Sequence, residues 1–270
     1  MGGLQLKQIE RSKTLLGDGV VYLKSSDFDL AQAVYSYLNK LQINSIIEYE
    51  TELLLRHGKY LTPAIVHGVY YDNFLPSFLA VGDLEGALFG IDVAMKLKLY
   101  DGDQFNMISP SHVNSLMGDV PRSVSGDLSR TITTNVTNVD NYHVWTRITL
   151  LQNLIRKRAA NKVRIYQDYD FKKLEEQLLN KFGDEIWLNT WDEENATLVW
   201  ALKLETTVMV VLFIAMTTLV SLCIVSGLII LFDKVRIDLS SFWIMGASRN
   251  NLGKASILFI NLFSFFGSSL

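Results

Sequence analysis

Cysteine is nearly absent from this chain of 270 residues. The single thiol, Cys223, lies inside an apolar run, so no intrachain disulfide can form and no thiolate metal site can be assembled. An excess of one charge is missing too. Lys and Arg total 25 against 28 Asp and Glu, for a net charge of −3, and the basic residues form no long stripe, which excludes the electrostatic footprint of a nucleic-acid binder. The local cluster Arg156-Lys157-Arg158 reads as a solvated helix end. The four histidines, His57, His67, His112 and His143, lack ligand spacing such as H-x-x-x-H and read as surface or turn residues. Gly253-Lys254-Ala255-Ser256 is no nucleotide loop: the first glycine of G-x-x-x-x-G-K-[ST] would fall on Ser248, and Ala255 replaces the metal-binding hydroxyl. Asp101-Gly102-Asp103 and Asp83 lack the ligands of a twelve-residue calcium loop. No catalytic residue, metal or cofactor is therefore expected, and the chain reads as a protein that is not an enzyme.

Charge is also missing from Thr206 to Phe232, and this absence is the most informative one. As a helix the run would be ~40 Å long against ~30 Å of bilayer hydrocarbon, so it spans with some tilt. A second apolar run from Ala255 to Leu270 is shorter and reads as the start of another span. Residues 233–254 carry Lys234, Arg236, Arg249 and Lys254, whereas residues 184–205 carry Lys203 against six acids, so the basic loop is expected on the cytoplasmic side. The large N-terminal domain then faces the other side, in a bacterium the periplasm. The opening MGGLQLKQIERSK has no apolar stretch to carry that domain across, so a membrane helix upstream is expected, and the chain reads as truncated at both ends.

Within the N-terminal domain, Gly19–Leu23 reads as a strand, and Asp27 caps a helix over FDLAQAVYSYLNKL. Ile43–Leu55 and Leu61–Tyr71 read as two strands joined by a turn over Arg56–Lys59. A helix is expected over Leu88–Leu99, followed by a turn at Tyr100–Asp103 and a strand over Gln104–Ile108. The polar stretch Ser111–Asp140 suits long loops or an extended hairpin, with Thr131–Val139 its best strand. Strand Lys162–Asp168, helix Phe171–Phe182 and strand Glu185–Asn189 complete the pattern. The expected fold class is an α+β extracytoplasmic domain, a mixed sheet with helices, followed by transmembrane α-helices.

The expected division is a periplasmic domain over 1–190, a continuous helix with a full span over 191–232, a cytoplasmic coupling segment over 233–254, and a second transmembrane helix from 255 to 270. Neither Pro nor Gly intervenes between Asp192 and Ser226, so one helix can rise from the domain into the bilayer and transmit its displacement. In the coupling segment, Gly246 can end a helical turn and Ser248 can cap the next helix. An amphipathic element there can lie in the interface or dock in a groove on a soluble partner.

The string Asp238-Leu-Ser-Ser-Phe242-Trp-Ile-Met245-Gly246-Ala247-Ser248 resembles the cytoplasmic loop of the FtsX-like ABC transporter permeases. Trp191-Asp-Glu-Glu-Asn195, followed by Leu198-Val-Trp200-Ala-Leu-Lys203-Leu-Glu205, resembles the entry to the second membrane helix in the lipoprotein-releasing subgroup, LolC and LolE. The resemblance implies an inner-membrane permease subunit that releases lipoproteins. ATP hydrolysis would reside in a separate cytoplasmic ABC ATPase, with a second permease subunit, a lipoprotein cargo, a periplasmic carrier and membrane lipid as the other partners. Arg236, Asp238, Phe242, Met245, Gly246, Ala247, Ser248 and Arg249 would meet the ATPase. Trp191, Trp200, Lys203 and Glu205 would belong to the force-transmitting helix, the two tryptophans either anchoring at the membrane interface or touching cargo. Two other readings stay open: an FtsX-like permease for another cargo, and a membrane-bound sensor or interaction protein with an extracytoplasmic ligand-binding domain.

Overall fold

The computed structural model describes residues 3–80, 86–114, 120–246, 248, 253–254 and 257–258. It divides into two units, Met1–Leu202 and Lys203–Leu270. In the first, helix α1 (Gly3–Leu16) precedes strand β1 (Gly19–Leu23), helix α2 (Phe28–Lys40) and the long strands β2 (Ser45–His57) and β3 (Tyr60–Tyr70). Asp27 caps α2 as its sequence predicts, accepting a bond from the Asp29 N–H at 3.1 Å. Strand β4 (Ala87–Gly90) leads into helix α3 (Ile91–Leu97), and β5 (Gln104–Asn114) pairs with β6 (Val120–Ile132) as an antiparallel ribbon. Then follow α4 (Thr137–Tyr142), β7 (His143–Arg147), α5 (Ile148–Ile155), β8 (Lys162–Ile165), α6 (Phe171–Phe182), β9 (Ile186–Thr190) and the short helix α7 (Trp191–Glu194).

The nine strands pair in the order β3-β7-β4-β6-β5-β2-β8-β1-β9, and β2 also pairs with β3. Six strands thus form a closed circuit, with β8, β1 and β9 continuing outward from β2. The junction lies in β2 itself: its Leu54–Arg56 half pairs with β5, while its Ser45–Glu48 half pairs with β8. Most pairs are antiparallel, but β3–β7 and β4–β6 are parallel, which makes the sheet mixed.

Side-chain alternation along β2 gives the sheet two unlike faces. Ile47, Leu53 and Leu55 point into two apolar clusters: α2 and α6 supply Val34, Leu38, Leu174 and Leu178 to one, and α3 and α5 supply Val93, Leu97, Leu151 and Leu154 to the other. Ile46, Glu48 and Glu50 belong to the opposite face. There, Ile46 joins Leu15 of α1 with Val69, Leu79, Leu88, Val139 and Trp145 in a smaller apolar cluster.

Two expectations change in the 88–140 region. Leu88–Leu99 is not one helix: Ala87–Gly90 is a strand and only Ile91–Leu97 is helical. Ala87, Leu88 and Phe89 are buried to 0 % exposure, and a short run buried on all sides carries no periodicity by which strand and helix could be told apart. Thr131–Val139 is likewise not a strand, because β6 ends at Ile132 and α4 begins at Thr137. Between them the Asp140 carboxylate binds the Thr134 and Asn135 N–H groups and the Thr134 hydroxyl, which turns the chain.

The second unit holds most of α8 (Ala196–Ile244), a helix of 49 residues. At 1.5 Å per residue it is ~74 Å long, well beyond one bilayer core. Residues Ala196–Ile237 are long and apolar enough to cross a membrane, and their most apolar window is unburied. The Thr207, Thr217 and Thr218 hydroxyls each donate to the carbonyl four residues back at 2.8 Å, which satisfies these three donors without water. Two corrections follow for the helix expected over 191–232. It is interrupted at Asn195, whose φ of −107° and ψ of 31° separate α7 from α8, and it continues past Phe232 to Ile244, so residues 233–244 extend the same helix instead of forming a separate short one. Gly246, at φ +94°, follows the helix end as its sequence suggests.

Gly90→Ala discriminates between the two readings of the 88–99 segment. A Cβ at Gly90 would lie 2.5 Å from the Asp140 carbonyl oxygen, so the substitution should lower stability by at least ~1 kcal/mol in denaturant unfolding. Inside a helix the same change would raise stability by up to ~1 kcal/mol.

Candidate functional site

Six polar side chains come together on the α1-side face of the sheet: Glu48 and Glu50 from β2, His67 from β3, His143 from β7, and Lys162 and Arg164 from β8. The register dictates the grouping. Glu50 lies opposite His67 in the β2–β3 pair, Glu48 lies opposite Lys162 in the β2–β8 pair, and Val20 lies opposite Arg164 in the β1–β8 pair.

Burial is severe, with Glu48 and His67 each at 1 % exposure, Arg164 at 4 % and His143 at 6 %. Buried charges persist only when paired and hydrogen-bonded, and here each is. The Arg164 Nε donates to Glu48 Oε2 at 2.6 Å, one terminal nitrogen donates to Glu50 Oε2 at 3.2 Å, and the other donates to the Leu16 carbonyl at the end of α1. Lys162 Nζ reaches Glu50 Oε1 at 2.7 Å. His67 Nδ1 bonds Glu48 Oε1, and His67 Nε2 pairs with His143 Nδ1 at 2.7 Å. The chain of contacts ends there, because the Nε2 of His143 has no hydrogen-bond partner among the described residues.

Burial alone would raise the Glu48 carboxyl, but the attraction of Arg164 and His67 outweighs it and holds the group well below the ordinary carboxylate range. His143 moves the other way from an ordinary imidazole. Burial, reinforced by the Arg164 charge, depresses it to about 3, so it is neutral at physiological pH.

A cleft of about 200 Å³ opens beside the cluster, with Tyr22, Glu50, His143, Arg164, Trp191 and Glu194 among its lining residues. Tyr22 donates from its hydroxyl to Glu194 of α7 and stacks on Trp187, with the ring centroids 5.2 Å apart. Burial, then the bond to Glu194, pushes the Tyr22 phenol up and keeps it a donor. Glu48, Glu50 and His67 each bring a ligand atom to within 4.8 Å of the others. They do not fit a metal, because the Arg164 guanidinium and Lys162 ammonium already neutralise both carboxylates at ion-pair distance. This arrangement ties elements together.

No family model matches this chain, and no curated protein does. Among solved structures, it is similar to the periplasmic region of MacB from Actinobacillus actinomycetemcomitans, at 12 % identity and a TM-score of 0.39, over 71 % of this chain and 97 % of that one. It is also similar to the extracellular domain of YknZ, a noncanonic ABC-type transporter from Gram-positive bacteria, at 10 % identity and a TM-score of 0.38, over 64 % of this chain and 98 % of that one. At these values neither likeness bears on function, which rests on the chain's own residues.

Of the sequence-predicted residues, Trp191 lines the cleft beside the cluster and the others lie in or beyond α8. Trp191 is enclosed in the domain: it is 3 % exposed, its indole N–H donates to Ser12 Oγ of α1 at 3.2 Å, and its backbone N–H donates to the Asp18 carbonyl at 2.9 Å. Thr190 and Glu193 form a reciprocal capping box around it. Trp200 is 63 % exposed on α8, where Lys203 and Glu205 are also exposed. Arg236 is exposed within α8, and Met245 and Gly246 follow its end. Asp238 and Phe242 are placed by backbone in α8, and Ser248 is exposed. Ala247 and Arg249 fall outside the described residues.

His67 and His143 are corrected from surface residues to buried partners. His57 is half-buried, with its Nδ1 3.1 Å from the Leu97 carbonyl oxygen. The charged alternation Glu48, Glu50, Glu52 in a strand reads as a solvent face, and so does the alternating Lys162-Val-Arg164-Ile, which supplies the compensating cations. Their meeting depends on strand order, which no local spacing reveals.

Glu48→Gln should destabilise the protein by roughly 3–5 kcal/mol, because it leaves Arg164 buried and underpaired. Combining Glu48→Leu with Arg164→Met should recover more than ~1 kcal/mol relative to the sum of the single changes, as measured by a double-mutant cycle in urea. Additive losses would show that the pair is not coupled.

Proposed function

We propose that this chain is part of an FtsX-like ABC transporter permease that couples a cytoplasmic ATPase to an extracytoplasmic α+β domain, and that the finer assignment is lipoprotein release. The observation that carries this reading is α8. A single helix contains the whole candidate span and then runs without interruption into Asp238–Ile244, the first half of the string that resembles the permease coupling loop, before Gly246 breaks it. A displacement of that loop would therefore be imposed on the span without a flexible linker to dissipate it.

The charge asymmetry about the span, with Lys234 and Arg236 on one side and Asp192, Glu193 and Glu194 on the other, supports a cytoplasmic loop and an extracytoplasmic domain. Inner-membrane placement, the second permease subunit, the lipoprotein cargo and its periplasmic carrier rest on the resemblance at residues 191–205. With Trp191 buried in the domain, the cargo-contacting part of that reading passes to exposed Trp200 and to surfaces not yet assigned. The chain's own part is mechanical, and hydrolysis of ATP would belong to the partner.

Replacing Arg236 and Asp238 with Ala in the full-length protein should reduce both capture of its ABC ATPase and stimulation of that ATPase by ~10-fold or more, the scale of losing a binding hot spot. Unchanged capture and stimulation would remove the docking assignment.

A further inference from the structure

The ionic cluster touches both the end of α1 and the α7 turn that precedes α8. Arg164 holds the last carbonyl of α1, and Tyr166, beside it, donates to the Leu15 carbonyl at 3.2 Å. Gly17, at φ +77°, then turns the chain so that the Asp18 N–H meets the Ile165 carbonyl at 2.8 Å. Trp191 of α7 returns to the same place through Ser12 and Asp18, and Glu194 is held by Tyr22. Leu16, Gly17, Trp191, Glu194 and Asn195 line the cleft on whose wall His143 ends the hydrogen-bond chain.

We propose that this cluster is a proton-sensitive clamp, holding the end of α1 and the α7 turn against the sheet while His143 is neutral and releasing them when His143 takes a proton. With His67 keeping its proton at Nδ1 toward Glu48, its Nε2 accepts from the His143 Nδ1–H, and the His143 Nε2 is left with an unshared lone pair. A proton from bulk water adds to that lone pair, and no bond is broken. The resulting imidazolium would face His67 from β3, Arg164 and Lys162 from β8, Glu48 and Glu50 from β2, Tyr22 from β1 and Glu194 from α7. The two carboxylates of β2 are already engaged by the two cations of β8 and Glu194 accepts from the Tyr22 hydroxyl, while the added charge meets repulsion from Arg164 and Lys162. Opening the cleft hydrates the ring and removes the conflict.

The sign follows from linkage. In the closed clamp His143 is held at about 3, against an ordinary value near 6.5 once hydrated. The closed state's advantage is therefore complete above about pH 6.5 and declines about tenfold per pH unit below it, until the pH approaches the closed-state value. Between pH 7.5 and pH 5 the opening equilibrium should rise about 30-fold.

Native-state hydrogen exchange on the full chain in detergent micelles, corrected for the intrinsic pH dependence of exchange, measures this at the Gly17, Asp18 and Trp191 amides. The result expected is the about 30-fold rise at these amides, with the Leu53 and Val66 amides of the strand core changing far less. The rise should disappear in His143→Gln and persist in His57→Gln. A uniform change at all amides, or the same rise in His143→Gln, would overturn the clamp. Should His143→Gln fail to fold, histidine ring NMR on the unaltered protein decides. A His143 that titrates near 6.5 while Gly17 and Trp191 stay protected would also overturn it, whereas titration that coincides with loss of their protection supports it.

Discussion

Glu48 is a carboxylate with almost no access to water, and its burial constrains everything around it. An unpaired ion there would cost several kcal/mol, so the strand pairing must deliver cationic and hydrogen-bonding partners to that one point. The β2–β8 register does so by placing Lys162 opposite Glu48 and bringing Arg164 to it, and the β2–β3 register adds His67. Arg164 then spends its remaining donors on Glu50 and on the end of α1. The apolar face of the sheet could form with several strand registers of similar hydrophobic gain. The polar face tolerates few, because a slip of one residue would turn Glu48 into the aliphatic clusters.

This placement explains why the end of α1 and the α7 turn lie together. The end of α1 and the α7 turn both close on the cleft beside Arg164, held by hydrogen bonds to carbonyls and by the buried indole of Trp191. Beyond α7 the constraint changes. From Thr206 to Phe232 the exposed side chains of α8 are uncharged and mostly Val, Leu, Ile, Met and Phe, and the helix satisfies its own backbone, which is the solution a lipid environment enforces. One chain thus uses two opposite strategies, compensated charge inside the domain and complete absence of charge in the span.

Residues with local meaning were legible in the sequence. β1 and α6 fall where periodicity and caps place them, the β2–β3 hairpin lies within two residues of its expected bounds, and the apolar run becomes helix. The misassigned segments are those whose state depends on neighbours: Ala87–Gly90 is a strand because it is enclosed between β6 and β7, and the 133–140 turn is organised by the Asp140 carboxylate. The ionic cluster was illegible for the same reason, since its members are spread from Glu48 to Arg164 and only the crossing order of the sheet unites them. Trp191 shows the complementary error: a tryptophan at the foot of a membrane helix suggests an interfacial anchor, yet its N–H finds Ser12 and its ring is enclosed.

The central claim is that α8 is one uninterrupted helix crossing the bilayer and reaching a cytoplasmic partner surface. A cysteine-accessibility scan of the full chain in sealed membrane vesicles, with Cys223→Ser as the background, tests it most directly. The account predicts that probes at 200 and 236 react from opposite sides and that positions 206–232 are protected. Labelling of 200 and 236 from the same side, or a reactive stretch in the middle of 206–232, would contradict it.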